Sequence, residues 1–93
     1  MPYVRLSIVH PRHSQEGRVL QLMTSLAEAV RAKEGCSESY VMQAKDGGDI
    51  ARVTTFADEA VADESANDPH IMSLRAELHL AVDTQVERAF ETI

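Results

Sequence analysis

The sequence predicts an α+β fold: a four-stranded antiparallel sheet with its helices on one face, in the order β-α-β-β-α-β. Three observations predict it. Tyr3 to His10 alternates apolar and polar side chains with period two, as a strand does. Val19 to Val30 places apolar residues at three- and four-residue steps, as a helix does. Asp46-Gly47-Gly48-Asp49 sits between two extended stretches and reads as a hairpin turn that joins two β-α-β-like halves, its two glycines supplying the positive φ angles a tight turn needs.

In chain order, Val4, Leu6 and Ile8 give the first strand a greasy face, and Pro11 ends it because proline cannot donate to a ladder. Ser14 is the expected N-cap of the first helix, with Glu16 in its first turn. Val19, Leu22, Met23, Leu26, Ala27 and Val30 form its buried stripe. Arg31 and Lys33 suit the negative end of the helix dipole, and Gly35 fits a left-handed C-terminal position. Cys36 to Lys45 is the second strand, with apolar residues on both faces around Tyr40, Val41 and Met42. The hairpin returns through Ile50 to Phe56, which is rich in β-branched residues. Asp58 caps a short helix to about Asn67, and Asp68-Pro69 restarts it with Asp at the N-cap and Pro at the first helical position. Ile71, Leu74, Leu78 and Val82 continue at helical spacing, and Gln85 to Ile93 is the last strand. This is the ferredoxin-like arrangement. Its free sheet face is expected to carry apolar side chains, and a second copy packed sheet to sheet is the simplest cover, which predicts a homodimer.

Length and composition narrow the function classes. The 93 residues make one domain, 1–93, with no repeat or linker. At 44% hydrophobic and 26% charged, the chain is of globular composition. Fifteen acidic against nine basic residues give a net charge of −6, and no basic cluster offsets it, so neither nucleic acid nor an anionic membrane is an expected partner. One cysteine offers no internal disulfide, and nothing in the N-terminal stretch reads as a signal peptide, so a cytoplasmic location is expected. There is no phosphate-binding glycine loop, dinucleotide fingerprint, zinc pattern or serine elbow.

Few side chains point to chemistry. His70 lies in the first turn of a helix, whose positive end favours the neutral imidazole suited to a general base; a plain packing role competes with that. His10 and His13 flank Pro11 without a companion ligand, a loop feature rather than a metal site. His79 reads as solvent-facing. Tyr40 and Phe56 could wall a pocket for a flat ligand or simply fill the core. Arg52 shares a strand face with Ile50, Thr54 and Phe56; turned toward the helices, its guanidinium needs an anion, and turned toward a partner subunit it makes an interface salt bridge. Cys36 has no paired base, and the acids from Asp58 to Asp68 read as a solvated helix face.

Three short segments carry a family resemblance. They are Glu34-Gly35-Cys36 after the first helix, Phe56-Ala57-Asp58-Glu59-Ala60-Val61, and Ser65-Ala66-Asn67-Asp68-Pro69-His70. On these, and on the element order over essentially its whole length, the chain resembles the antibiotic biosynthesis monooxygenase family of dimeric α/β-barrel proteins. The resemblance implies a pocket between sheet and helices in each subunit of a homodimer. It also implies a cofactor-independent oxygenase acting on a small aromatic, quinol-type substrate that reduces oxygen itself once deprotonated. His70 would be base or donor, Arg52 an anion stabiliser, Tyr40 a pocket wall, and Phe56 and Ser65 substrate-contact positions. Phe56 stands where many members have Trp, and Ser65 where a second histidine often precedes the Pro-His pair. No cofactor or metal is expected, and the Asn, Trp and His set of the haem-degrading branch is not recognisable. Two other readings use the same scaffold: a non-catalytic binding or stress-responsive barrel, and an oxygen-independent isomerase or lyase.

Overall fold

Four strands pair antiparallel in the order β2-β3-β1-β4. The computed structural model describes residues 2–93. The elements are β1 (Tyr3–Pro11), α1 (Glu16–Arg31), β2 (Cys36–Gln43), β3 (Ile50–Phe56), α2 (Glu59–Ala66), α3 (Pro69–Ala81) and β4 (Val82–Glu91). The helices lie on one face of the sheet, so the fold is the ferredoxin-like α+β arrangement that the sequence predicts, with the second helix broken in two. Among the described residues no helix is long and apolar enough to cross a membrane.

The core sits between the sheet and α1. Val19, Leu22, Met23, Leu26, Ala27 and Val30 are all buried, the stripe their spacing predicts. Met23 and Leu26 are fully enclosed, and each such side chain contributes roughly 1.5–3 kcal/mol through burial. Ile71 and Leu78 bring α3 against the same cluster.

Local chemistry sets most of the element ends, with three departures from expectation. Ser14 does not cap α1. It adopts a left-handed φ of 66° inside a tight turn closed by the Gln15 amide on the Arg12 carbonyl at 2.9 Å, and Gln15 takes the cap position without a side-chain bond. In the β2–β3 turn only Gly47 has a positive φ, 79°; the Gly48 amide instead donates to the Asp46 carboxylate at 3.0 Å. Val82 starts β4 rather than extending α3. It is extended and buried, pairs with Pro11, and its carbonyl accepts from Arg12 Nε at 3.2 Å.

The two aspartate caps behave as predicted. Asp58 accepts from the Val61 amide at 2.9 Å, and Asp68 from the amides of His70 and Ile71 at 2.9 and 3.2 Å. Asp68 also pairs with Lys33, which, with the Ile71 and His70 amides, holds its carboxyl below the ordinary range. That contact ties the loop after α1 to the start of α3.

Pairing register assigns each side chain to a sheet face, because partners directly opposite in an antiparallel pair point the same way. Arg5 and Ser7 turn toward the helices with their neighbours on β3 and β4, while Val4, Leu6 and Ile8 turn away. The greasy face of the first strand is therefore the outer one. Across it run the rows Met42–Ala51–Ile8–Val86 and Tyr40–Val53–Leu6–Arg88. Tyr40, Met42, Val86 and Phe90 are all exposed there, so the outer face is an apolar surface with no cover within the chain.

Candidate functional site

Two rows of the helix-facing side supply the site. The first is Val41–Arg52–Ser7–Glu87, one residue from each strand; the second is Ser39–Thr54–Arg5–Ala89. Strand alternation makes these residues neighbours although they lie as far apart as Arg5 and Ala89 in sequence. Above them, α2 contributes Ala62, Ser65 and Ala66, and α3 contributes Ile71 and Arg75. Small side chains on α2 leave space where larger ones would fill it. The result is a cavity of about 310 Å³, with Tyr3 and Phe56 also in its lining. That volume lies at the small end of the range for small-molecule sites.

The cavity is cationic in an acidic protein. Arg5, Arg52 and Arg75 line it, and Glu87 is its one carboxylate among the described residues. Two of these arginines have acidic partners. Arg5 reaches Asp63 on α2 at 2.8 Å, with its guanidinium 5.4 Å from the Tyr3 ring centre, and Arg75 stands 3.9 Å from Glu87.

Arg52 is different. It donates to the Thr54 hydroxyl at 3.2 Å, and that hydroxyl also meets Ser39 at 2.9 Å. Its Nε is buried and has no hydrogen-bond partner among the described residues. Burial pulls the Arg52 pKa below its ordinary value; nearby Glu87 opposes this, while Arg75 and Arg5 add to it. A guanidinium remains charged at neutral pH even so. A buried cation with an unfilled donor is costly, and an anion in the cavity would satisfy it.

The expected site residues divide in two. Arg52, Phe56 and Ser65 come together in this cavity. Tyr40 does not: it pairs with Val53 on the outer face and is 52% exposed, because it sits one residue out of phase with Val41, the partner of Arg52. His70 does not line the cavity either. It is exposed in the first turn of α3, while the next residue, Ile71, takes the inward position. The helix start places a histidine as predicted but turns it away from the space. His10 meets Asp49 at 3.0 Å near the β2–β3 turn, and the described residues hold no cluster of metal-ligating side chains. Sequence reasoning missed Arg5, Ser7, Arg75 and Glu87. The alternation of β1 and β4 marks Ser7 and Glu87 as facing one side, but only the pairing with Arg52 gives that side a purpose.

No protein-family model matches the chain, and no curated protein matches it by sequence. Solved structures do match it. Rv0793 from Mycobacterium tuberculosis superposes with a TM-score of 0.93 at 18% identity, covering 100% of this chain and 96% of that one. A structure of an antibiotic biosynthesis monooxygenase gives 0.88 at 16% identity, covering 100% and 99%. SnoaB, a cofactor-independent oxygenase from Streptomyces nogalater, gives 0.88 at 9% identity, covering 98% and 92%. Near-complete coverage in both directions at such low identity is agreement of backbone, not of site residues. The chain has the fold of the antibiotic biosynthesis monooxygenase proteins.

Proposed function

We propose that the chain is a cofactor-independent oxygenase that takes a small aromatic substrate of the quinol or phenol kind into the sheet–helix cavity and holds its ionised form against Arg52. The observation that carries this reading is the buried, partnerless Nε of Arg52. A fixed, largely buried cation lowers the pKa of a bound hydroxyl and stabilises the resulting oxyanion. Such an anion is electron-rich enough to reduce oxygen itself, so the protein need supply only position and charge. Phe56 and Tyr3 offer flat apolar walls for the ring, and Ser65 a hydroxyl on the helix side.

The test is oxygen uptake with a panel of quinols and phenols, run with and without air. Oxygen-dependent turnover is the expected result. Turnover without oxygen points to an isomerase or lyase on the same scaffold, and binding without turnover to a ligand-binding protein.

The working unit proposed is a homodimer, with the apolar outer sheet face of one copy against that of another. A surface holding Leu6, Ile8, Val53, Tyr40 and Phe90 favours burial of this kind. Sedimentation equilibrium is expected to give twice the chain mass. A monomer at micromolar concentration would refute it.

A further inference from the structure

We propose that Glu87 is the proton acceptor of this cavity, taking the acidic proton of the substrate while Arg52 receives the negative charge. The inference rests on reading the cavity as a substrate site. In the step, the substrate O–H bond breaks, the proton passes to a Glu87 carboxylate oxygen, and the electron pair stays on the substrate oxygen. Nothing is oxidised or reduced, and no second reactant is needed.

Three features single out Glu87. Among the described residues it is the only carboxylate lining the cavity, and no histidine lines it. The other polar groups there are arginines, which cannot accept a proton, and hydroxyls, which are poor bases at neutral pH.

Its carboxylate is also oriented. Oε1 accepts from the Ser7 hydroxyl at 3.2 Å and from Gln85 Nε2 at 2.9 Å, and it is the oxygen nearest Arg75, at 3.9 Å. All three groups converge on one oxygen, and Oε2 has no hydrogen-bond partner among the described residues. A base held by one oxygen and free at the other is set up to take a proton in a defined direction.

The spacing fits a substrate as well. Ser7 lies between Arg52 and Glu87 in the same cross-strand row. The two backbones are thus two strand spacings apart, roughly 10 Å. Both side chains line the cavity, on either side of Ser7. Glu87 is on an edge strand with its side chain 42% exposed, so a proton it accepts can pass on to water.

A purely structural reading would make Glu87 the partner of Arg75. At 3.9 Å and this exposure that pair contributes little, so the two readings separate experimentally. The probe is 5-nitrobenzisoxazole, whose base-catalysed ring opening needs no oxygen and yields a phenolate for Arg52 to hold. Wild-type protein is expected to accelerate the opening, with Glu87→Gln slower by roughly 100-fold or more and Glu87→Asp intermediate. Glu87→Gln should keep the wild-type circular dichroism spectrum. Ring opening by Glu87→Gln as fast as by wild type, or no acceleration by wild type, overturns the assignment. Glu87-dependent ring opening alongside a quinol panel that consumes no oxygen would keep the base and sink the oxygenase reading.

Discussion

Arg52→Met is expected to make the protein more stable and almost inactive. Replacing a largely buried, incompletely partnered charge with an apolar chain is often neutral or stabilising, by ~1 kcal/mol. Three local facts favour the stabilising side. The Nε proton has no acceptor to lose. Thr54, the one acceptor Arg52 has among the described residues, keeps its bond to Ser39 at 2.9 Å. Removing Arg52 also relieves its repulsion with Arg75 and Arg5, although the attraction of Glu87 is lost with it. For a domain of this size ~1 kcal/mol corresponds to a melting temperature higher by about 4–8 °C. Activity should move the other way. Losing a preorganised donor to a developing oxyanion costs on the order of 10²–10³ in turnover. Calorimetry and oxygen uptake on one preparation check both halves. A large loss of stability would mean that Arg52 holds the sheet together, and the case for a functional guanidinium would fall.

Such a trade is the signature of a residue kept for function. It also explains why Arg52 was legible before the fold was known. A cation in mid-strand beside Ile50 and Phe56 conflicts with its surroundings, and that conflict shows in sequence alone. The element order, the α1 stripe and the Asp58 and Asp68 caps were legible for the opposite reason, since local propensity and fold agree there. What failed were choices made by tertiary pairing. The alternation of β1 separates Val4, Leu6 and Ile8 from Arg5 and Ser7, but not which set meets the helices; the apolar set faces out. A shift of one residue in phase removes Tyr40 from the site, and about a third of a helical turn separates exposed His70 from inward Ile71. Glu87 was invisible because its meaning depends on Ser7 and Arg52, both brought beside it by strand order.

Gly35→Ala should be the most damaging small substitution outside the core, and its effect should reach the cavity. Gly35 has a φ of 88°, which a residue with a Cβ adopts at a cost of ~1–2 kcal/mol. A Cβ there would also lie 2.7 Å from Cγ1 of Val61 on α2, and a forced overlap of that kind costs a further ~1–3 kcal/mol. Together these predict a loss of about 2–5 kcal/mol, or a melting temperature lower by at least ~8 °C. Gly47→Ala is the internal control. Its φ of 79° carries the same backbone strain, but nothing lies within 4 Å of the added carbon, so only the smaller penalty applies. The difference between the two variants isolates the contact with α2. The Gly35 carbonyl also accepts the Ala57 amide at 2.8 Å, joining the start of β2 to the end of β3 beside Phe56. Pushing Val61 outward moves Ala62, the next residue and part of the cavity wall, so KM should rise as stability falls. Val61→Ala removes both offending methyl groups. Combined with Gly35→Ala it should recover the steric share and leave the backbone share, a coupling that a double-mutant cycle measures directly. If the two substitutions simply add, Gly35 is there for its backbone angle alone, and the close packing of α2 over the loop has no part in shaping the cavity.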